Sequence, residues 1–378
     1  MGGPTRDVPT GGPLASLMTE SAKRSVSETE RLGRSTISLV IPCRNEARFI
    51  GACLDSVIAV DFPKDRLEVL VVDGESDDDS PRIVEEYARR FPFIRLLHNP
   101  RRTTPAALNV GILASRGEIV ARLDAHSTMA PDYLAQCLAM QIATGAENVG
   151  GRLLIRPQRA TALGWAIAQV QTHWFGAGTA HHKIGGRERR EVDTVFGGFY
   201  RRDAIDRIGL FNENLIRGQD MEFNRRLRRA GGTIVMDPSI TSTYYSRSNL
   251  WAFARHNFVD GVWVTYALRF APAPVSWRHL IPLAFVCSLL ASLLLWAVVP
   301  RLRSLFLVVG GSYLLTSAVV STVAAVRTGR LEYVITLPLA FTARHIPWGL
   351  GSSWGIVKLA ASRGVRITRT KRVPVASS

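Results

Sequence analysis

The sequence predicts an α/β domain on a mixed, mostly parallel sheet, followed by transmembrane helices. Three observations predict it. Apolar, β-branched runs alternate with amphipathic stretches from Ile37 onward, polar clusters follow several of those runs, and two charge-free segments lie near the C-terminus. Each of these segments approaches the ~20 residues needed to cross hydrocarbon.

The run at 37–41 precedes an amphipathic stretch at 47–60 and a second run at 67–72, which reads as a βαβ unit. A helix near 78–91, a strand near 94–97, a helix near 105–115 and a strand at 118–123 continue the alternation. Strands separated by covering helices run parallel. Ligands of such sheets bind beyond the carboxyl ends of the strands, where strand order reverses. Three polar clusters fall there: Pro42-Cys43-Arg44-Asn45-Glu46, Asp73-Gly74-Glu75-Ser76 and Asp124-Ala125-His126. All three are expected at one edge.

The formal charge of +16 points to nucleic acid or an anionic membrane as partner. Arg and Lys crowd the last third of the chain around apolar runs, which favours the membrane and excludes nucleic acid. The cysteines Cys43, Cys53, Cys137 and Cys287 have no paired spacing, which excludes a disulfide framework and a zinc site. The first strand turn has no Gly-x-Gly-x-x-Gly, which argues against a dinucleotide oxidoreductase.

Residues 1–34, rich in Gly, Ser, Thr and Arg without an apolar export signal, read as a disordered tail. A globular domain follows at 35–248, with a mobile loop at 180–191. At 249–275, Trp251, Phe253 and Trp263 mix with Arg255, His256 and Arg269, the pattern of an amphipathic interfacial helix or of a core helix. The membrane region is 276–361, with spans at about 280–299 and 305–326. A third segment at 331–361, broken by Pro338, Arg344, His345 and Pro347, crosses or re-enters. The basic tail at 362–378 places the C-terminus in the cytosol. With no export signal, the domain at 35–248 is cytosolic too, on a multi-pass protein of the plasma membrane.

Asp124 and His126 follow an apolar strand and can both face a divalent cation in a turn, although Asp124 could instead cap the helix near Pro131. Asp220 opens an amphipathic helix, where a carboxylate also suits the helix dipole. Gly197 and Gly198 permit either a close backbone approach or a tight turn. His181 and His182, in a basic loop, read as solvent-exposed.

In order along the chain, Ser38-Leu-Val-Ile-Pro-Cys-Arg-Asn-Glu46, Val71-Val-Asp-Gly-Glu-Ser76, Ala107-Leu-Asn-Val-Gly111, Leu123-Asp-Ala-His126, Phe196-Gly-Gly-Phe199 and Gly218-Gln-Asp-Met-Glu222 resemble the motifs of family 2 inverting glycosyltransferases, over about 37–246. The resemblance implies a GT-A fold, Rossmann-like, and transfer from a nucleotide-sugar donor, commonly a UDP-sugar. It implies donor contacts at Pro42, Arg44, Glu46, Asp73, Ser76, Asn109 and Asp124, and a divalent metal, Mn²⁺ or Mg²⁺, on Asp124 and His126. Asp220 becomes the catalytic base, with Gly197, Gly198 and Gln219 toward the acceptor. On this reading Asp124, His126 and Asp220 share one pocket.

Two positions depart from the family pattern: His126 stands where many relatives carry a second Asp, and Gln219 where an acid usually precedes the base. Ala254-Arg-His-Asn-Phe258 does not match the Gln/Arg-Trp motif of processive relatives, whereas Arg344-His-Ile-Pro-Trp-Gly-Leu-Gly351 is similar to succinoglycan-type exopolysaccharide glycosyltransferases. The implied acceptor is a lipid-linked saccharide or polysaccharide, in exopolysaccharide or cell-wall glycan synthesis. Alternatives are a polyprenyl-phosphate glycosyltransferase and a non-catalytic membrane adaptor that binds a sugar nucleotide.

Overall fold

The computed structural model describes residues 34–362, apart from 179, 187 and 272–276. The tails expected at 1–34 and 362–378 lie, but for one residue each, outside the described residues. The chain forms two compact units: one comprises the described residues up to Arg152 with Arg187–Leu210 and Leu227–Ser242, the other Leu153–Gly186, Phe211–Arg226 and the described residues from Thr243.

The first unit is built on the strands β1 (Ile37–Cys43), β2 (Leu67–Asp73), β3 (Ile94–His98), β4 (Ile119–Arg122), β5 (Ser127–Met129), β6 (Asn148–Pro157), β7 (Arg190–Glu191), β8 (Phe199–Arg201) and β9 (Ile234–Ser246). β6 and β9 run past the unit's limits. The order is β3-β2-β1-β4-β8-β6-β9-β5, with β7 on β9. Pairs β3/β2, β2/β1 and β1/β4 are parallel, whereas β8 runs antiparallel to β4 and β6. This is the mixed, mostly parallel α/β sheet of a GT-A fold. Order reverses at β1, and Cys43, Asp73 and His98 stand at one level, so the ends of β1, β2 and β3 open together.

β1 and β2 are mostly apolar because both of their faces are covered. Ile37, Leu39, Ile41, Val69 and Val71 pack with Ile50, Cys53, Leu54 and Val57 of helix α1 (Ile50–Ile58). Helix α2 (Ser80–Arg90) adds Val84, and helix α3 (Thr104–Ala114) passes directly over β1. A Cβ at Gly111 of α3 would stand 2.3 Å from a Val40 methyl. Overpacking of this kind costs about 1–3 kcal/mol, more than the roughly 1 kcal/mol that Ala gains over Gly inside a helix. Gly111→Ala is therefore expected to lower the melting temperature, and an unchanged or raised Tm would contradict that close approach.

Helix α4 (Tyr133–Thr144) closes the same face with Leu134, Cys137 and Leu138. The second unit begins with α5 (Ala162–Thr172) and the single turns α6 (Trp174–Ala177) and α7 (His181–Ile184). Instead of one loop, the segment expected at 180–191 contains α7 and then β7, which pairs Arg190 with Met236. Helix α8 (Arg202–Ile208) follows β8 in the first unit, and α9 (Gln219–Arg229) opens in the second.

Four long helices complete the second unit: α10 (Leu250–Tyr266), α11 (Ile281–Val298), α12 (Arg303–Thr328) and α13 (Tyr333–Ala361). α13 is one continuous helix through Pro338 and Pro347, where the sequence suggested a break. Each interior proline costs about 3 kcal/mol or more, and packing of α13 against α5, α10, α11 and α12 offsets that cost.

The contact with α10 is close. Cβ atoms at Gly261, Gly351 and Gly355 would stand 2.1 Å from the Trp348 carbonyl, 2.1 Å from the Phe258 carbonyl and 2.4 Å from the Val262 carbonyl respectively. Phe253, Asn257 and Val262 of α10 are buried, while Trp251 remains exposed. The segments Trp277–Val298 and Pro300–Thr328 are long and apolar enough to cross a membrane, with mean hydropathies of 2.3 and 1.7. Their apolar side chains, among them Leu294, Val298, Leu307 and Leu315, face outward.

Candidate active site

The open edge of β1 and β2 is held by a network of short hydrogen bonds. Asp73, buried at the end of β2, accepts from the Ser76 amide at 3.0 Å and from the Ser76 hydroxyl at 2.6 Å. The Asn45 amide donates to Ser76 Oγ at 2.8 Å, and Asn45 Oδ1 accepts from the Asp77 amide at 2.8 Å. The Glu46 amide donates to Ser80 Oγ at 2.8 Å. Two peptide segments far apart in sequence are thereby fixed as one rim.

Among the described residues, the non-glycine residues with positive φ are Asn45, Glu75 and Arg102, at 55°, 53° and 57°. They follow β1, β2 and β3 in turn, so backbone strain is concentrated at this edge, as at many binding sites. Glu75 and Arg102 also form an ion pair. Arg44 is exposed, with its Cβ and Cδ each 3.4 Å from where a Cβ on Gly74 would stand. Pro42 ends β1 half-buried, and Asn109 is buried in α3, two residues from the Gly111 contact.

Beside this rim lies the turn after β4. His126 Nδ1 is 2.8 Å from Glu46 Oε1, and both side chains are about three-quarters buried, with 25% and 22% exposed. A carboxylate on one imidazole nitrogen sets the tautomer and aims the other nitrogen outward. Arg122 donates from Nε and Nη2 to Asp124 Oδ1 at 3.0 and 2.8 Å. The Ser127 amide closes the turn on the Asp124 carbonyl at 2.9 Å.

Gly197 and Gly198 lie against the same strand end, the Gly198 carbonyl accepting from the Arg122 amide at 3.0 Å. Their φ values are +72° and +95°, and a Cβ would stand 2.5 Å from the Arg122 carbonyl at Gly197 and 2.2 Å from the Tyr200 ring at Gly198. Both positions require glycine.

Pro42, Arg44, Glu46, Asp73, Ser76, Asn109, Asp124, His126, Gly197 and Gly198 thus belong to the first unit. Asp220 and Gln219 belong to the second. Gln219 is buried, and Asp220, after Gly218 at φ +72°, accepts from the Met221 amide at 2.9 Å. Stacking of Phe223 on Phe211, with centroids 4.1 Å apart, anchors the helix that carries them.

In the same unit Asp260 lies 3.2 Å from His256 Nε2 and 3.6 Å from Arg217 Nε. Burial lowers the His256 pKa to about 4 against the opposing pull of Asp260. His181 and His182 are half-buried rather than exposed, and burial drives His182 down to about 3. That burial comes from tertiary packing, which a local reading of a basic segment does not show.

Residues 38–209 match the family model described as Glycosyl transferase family 2. That segment is a family 2 glycosyltransferase domain. The chain is 28% identical over 265 residues to a dolichyl N-acetyl-alpha-D-glucosaminyl phosphate 3-beta-D-2,3-diacetamido-2,3-dideoxy-beta-D-glucuronosyltransferase of Methanococcus voltae, covering 68% of this chain and 80% of that one. It is 27% identical over 278 residues to the succinoglycan biosynthesis protein ExoA of Rhizobium meliloti, covering 67% and 83%. The mannosyltransferase PcManGT from Pyrobaculum calidifontis, solved with GDP-Man and Mn²⁺, shares the fold with a TM-score of 0.53 and 20% identity, over 87% of this chain and 97% of that one.

The Asp124 and His126 pair of the glycosyltransferase domain can be weighed as a cation site. Among the described residues no group of three or more His, Cys, Asp or Glu side chains is placed to hold a metal ion. A carboxylate and an imidazole suit a cation that takes its remaining ligands from substrate phosphates and water, as Mg²⁺ and Mn²⁺ do in phosphate chemistry. The donor set fits such a group.

Two residues of this site escaped the sequence reading. Arg122 pairs with Asp124, and its signal was a charged residue inside the apolar run at 118–123. Tyr200 packs under Gly198, and no local pattern marks it. Glu46, read from the sequence as a donor contact, also holds His126. Glu46→Ala is expected to weaken activation by Mn²⁺ about 10–100-fold, the usual cost of losing a group that orients a metal-facing histidine. A titration of activity against Mn²⁺ concentration checks this, and an unshifted midpoint would remove the orienting role.

Proposed function

We propose that this glycosyltransferase moves a sugar, with inversion, from a nucleotide-sugar donor, commonly a UDP-sugar, to a lipid-linked saccharide. The setting is exopolysaccharide or cell-wall glycan synthesis at the cytosolic face of the plasma membrane. The observation that carries this reading is the shared rim of Asp73, Ser76, Glu46 and His126 at the sheet's reversal point, beside Asp124. Lipid-linked and polysaccharide chemistry in the names of the relatives, and the two apolar helices, support the acceptor class.

Asp73, fixed by Ser76, offers carboxylate oxygens to the ribose or base of the donor. Asp124 and His126 would hold a divalent cation, which when bound neutralises the charge of the departing diphosphate. Glu46 keeps the imidazole in one tautomer. The acceptor hydroxyl is a weak nucleophile near neutral pH and must lose its proton as it attacks the anomeric carbon, and Asp220 is the carboxylate that takes it. A single base with direct displacement inverts the anomeric centre and leaves no glycosyl-enzyme intermediate.

The test is a panel of sugar nucleotides offered to the purified full chain with a lipid-linked acceptor, reading anomeric configuration by NMR. One UDP-sugar should be consumed to a product of inverted configuration. A product of retained configuration, or no donor turned over, would overturn the reading.

A further inference from the structure

The carboxylate proposed as base has few contacts of its own. Among the described residues the Asp220 side chain has one hydrogen bond, from the Met221 amide at 2.9 Å, so it goes where the backbone takes it. That backbone enters α9 through Gly218, at φ +72° with open space where a Cβ would stand. A left-handed glycine with room beside it is a pivot. Beyond the pivot, the Phe211–Phe223 stack holds the helix. Before it, the chain is held by α10.

The segment 211–217 docks along α10 and the turn that ends it. Leu215, fully buried, packs with Ala267 and Ala271. Asn212 Nδ2 donates to the Phe270 carbonyl at 3.3 Å. Arg217 Nε lies 3.6 Å from Asp260 Oδ1, and of these contacts it is the one next to Gly218.

Asp260 is set up for that contact. Its other oxygen, Oδ2, lies 3.2 Å from His256 Nε2, one helical turn earlier. Burial lowers the His256 pKa to about 4, so near neutral pH the imidazole is uncharged and orients the carboxylate without neutralising it. The charge is left available to Arg217.

α10 is also firmly seated at this level. The carbonyl of Gly261, the next residue, accepts from Ser352 Oγ of α13 at 3.1 Å, and a Cβ on Gly261 would stand 2.1 Å from the Trp348 carbonyl. Asn257, one turn before, is buried and accepts from Arg344 Nη1 at 3.1 Å. The Arg217 and Asp260 side chains are 42% and 24% exposed, so their pair adds little to overall stability and its effect is local.

We infer that Asp260 is a positioning residue for the base: by holding Arg217 it fixes the entry to the pivot at Gly218, and so ties Asp220 to the packed pair α10 and α13. This deepens the proposed sugar transfer and rests on Asp220 as its base. Asp260 acts through Arg217 and the backbone.

In the purified full chain, Asp260→Asn and Arg217→Gln should each lower kcat by about ten- to a hundredfold, since misplacing a reacting group by roughly 1 Å costs about a hundredfold. Transfer is read from the UDP-sugar consumed in the donor panel to a lipid-linked saccharide, and the donor KM should stay within about threefold. The double variant should be no slower than the slower single one, because both substitutions remove the same contact. Amide hydrogen exchange over 218–222, where the Glu222 amide bonds the Gly218 carbonyl at 3.1 Å, should rise in both single variants without any donor or turnover. Losses that multiply in the double variant, a raised donor KM in place of a lowered kcat, or unchanged exchange over 218–222 would each overturn the tether. A rise in exchange spread over the whole second unit would make the pair a structural one and overturn it too. Asp220→Asn separates the two levels. Activity kept there would overturn the base and this inference together, whereas activity lost there but kept in Asp260→Asn and Arg217→Gln would overturn the tether alone.

Discussion

Asp220→Asn should lower sugar transfer by about a hundred- to ten-thousandfold, the range for removing a general base, while donor binding stays within about threefold of the unaltered protein. The asymmetry follows from what the substitution keeps. Asn has the size and shape of Asp, and its Oδ1 can still accept from the Met221 amide, the 2.9 Å bond that fixes the side chain at the start of its helix. Phe211 and Phe223 go on anchoring that helix. What is lost is the ability to take a proton. Calorimetry with the nucleotide donor measures binding, and transfer to a lipid-linked acceptor measures the rate. Turnover within about tenfold of the unaltered protein would remove Asp220 from the role of base.

Chelation of divalent metal should have the other large effect, with transfer falling by about a hundredfold or more, because charge stabilisation at a departing diphosphate is commonly worth several kcal/mol. Mn²⁺ should restore activity at least as well as Mg²⁺, since an imidazole suits Mn²⁺ and Mg²⁺ favours oxygen donors. His126→Asp should shift that preference toward Mg²⁺. Arg122 neutralises Asp124 through contacts of 2.8 and 3.0 Å, so a metal would compete with a guanidinium for the same carboxylate. Activity untouched by thorough chelation would separate Asp124 and His126 from metal binding altogether.

Much of the first unit was legible because its signals are local. A strand buried on both faces must be apolar along its length, and the runs at 37–41 and 67–72 mark β1 and β2 within two residues of their ends. Polar residues that interrupt such runs fall at strand ends, so Asp73 and Asp124 could be placed on an edge before any coordinates. The expected break in α13 failed for the opposite reason. Proline lowers local helix stability, and a single chain segment does not reveal the four helices packed around it.

The sequence by itself determined the alternation of strands and helices, the polar edge and the two apolar segments, since each depends on periodicity within about twenty residues. Only the tertiary structure decided that Glu46 grips His126, that Arg122 holds Asp124, that Tyr200 leaves no room for a side chain at Gly198, and that Arg344 reaches the Gly176 carbonyl. Glu46 with His126 and Arg344 with Gly176 are tens of residues apart, and even Arg122 with Asp124 and Tyr200 with Gly198 depend on how the local chain is folded. Strand order and side-chain direction bring such groups together, and neither is written in the spacing of the residues involved.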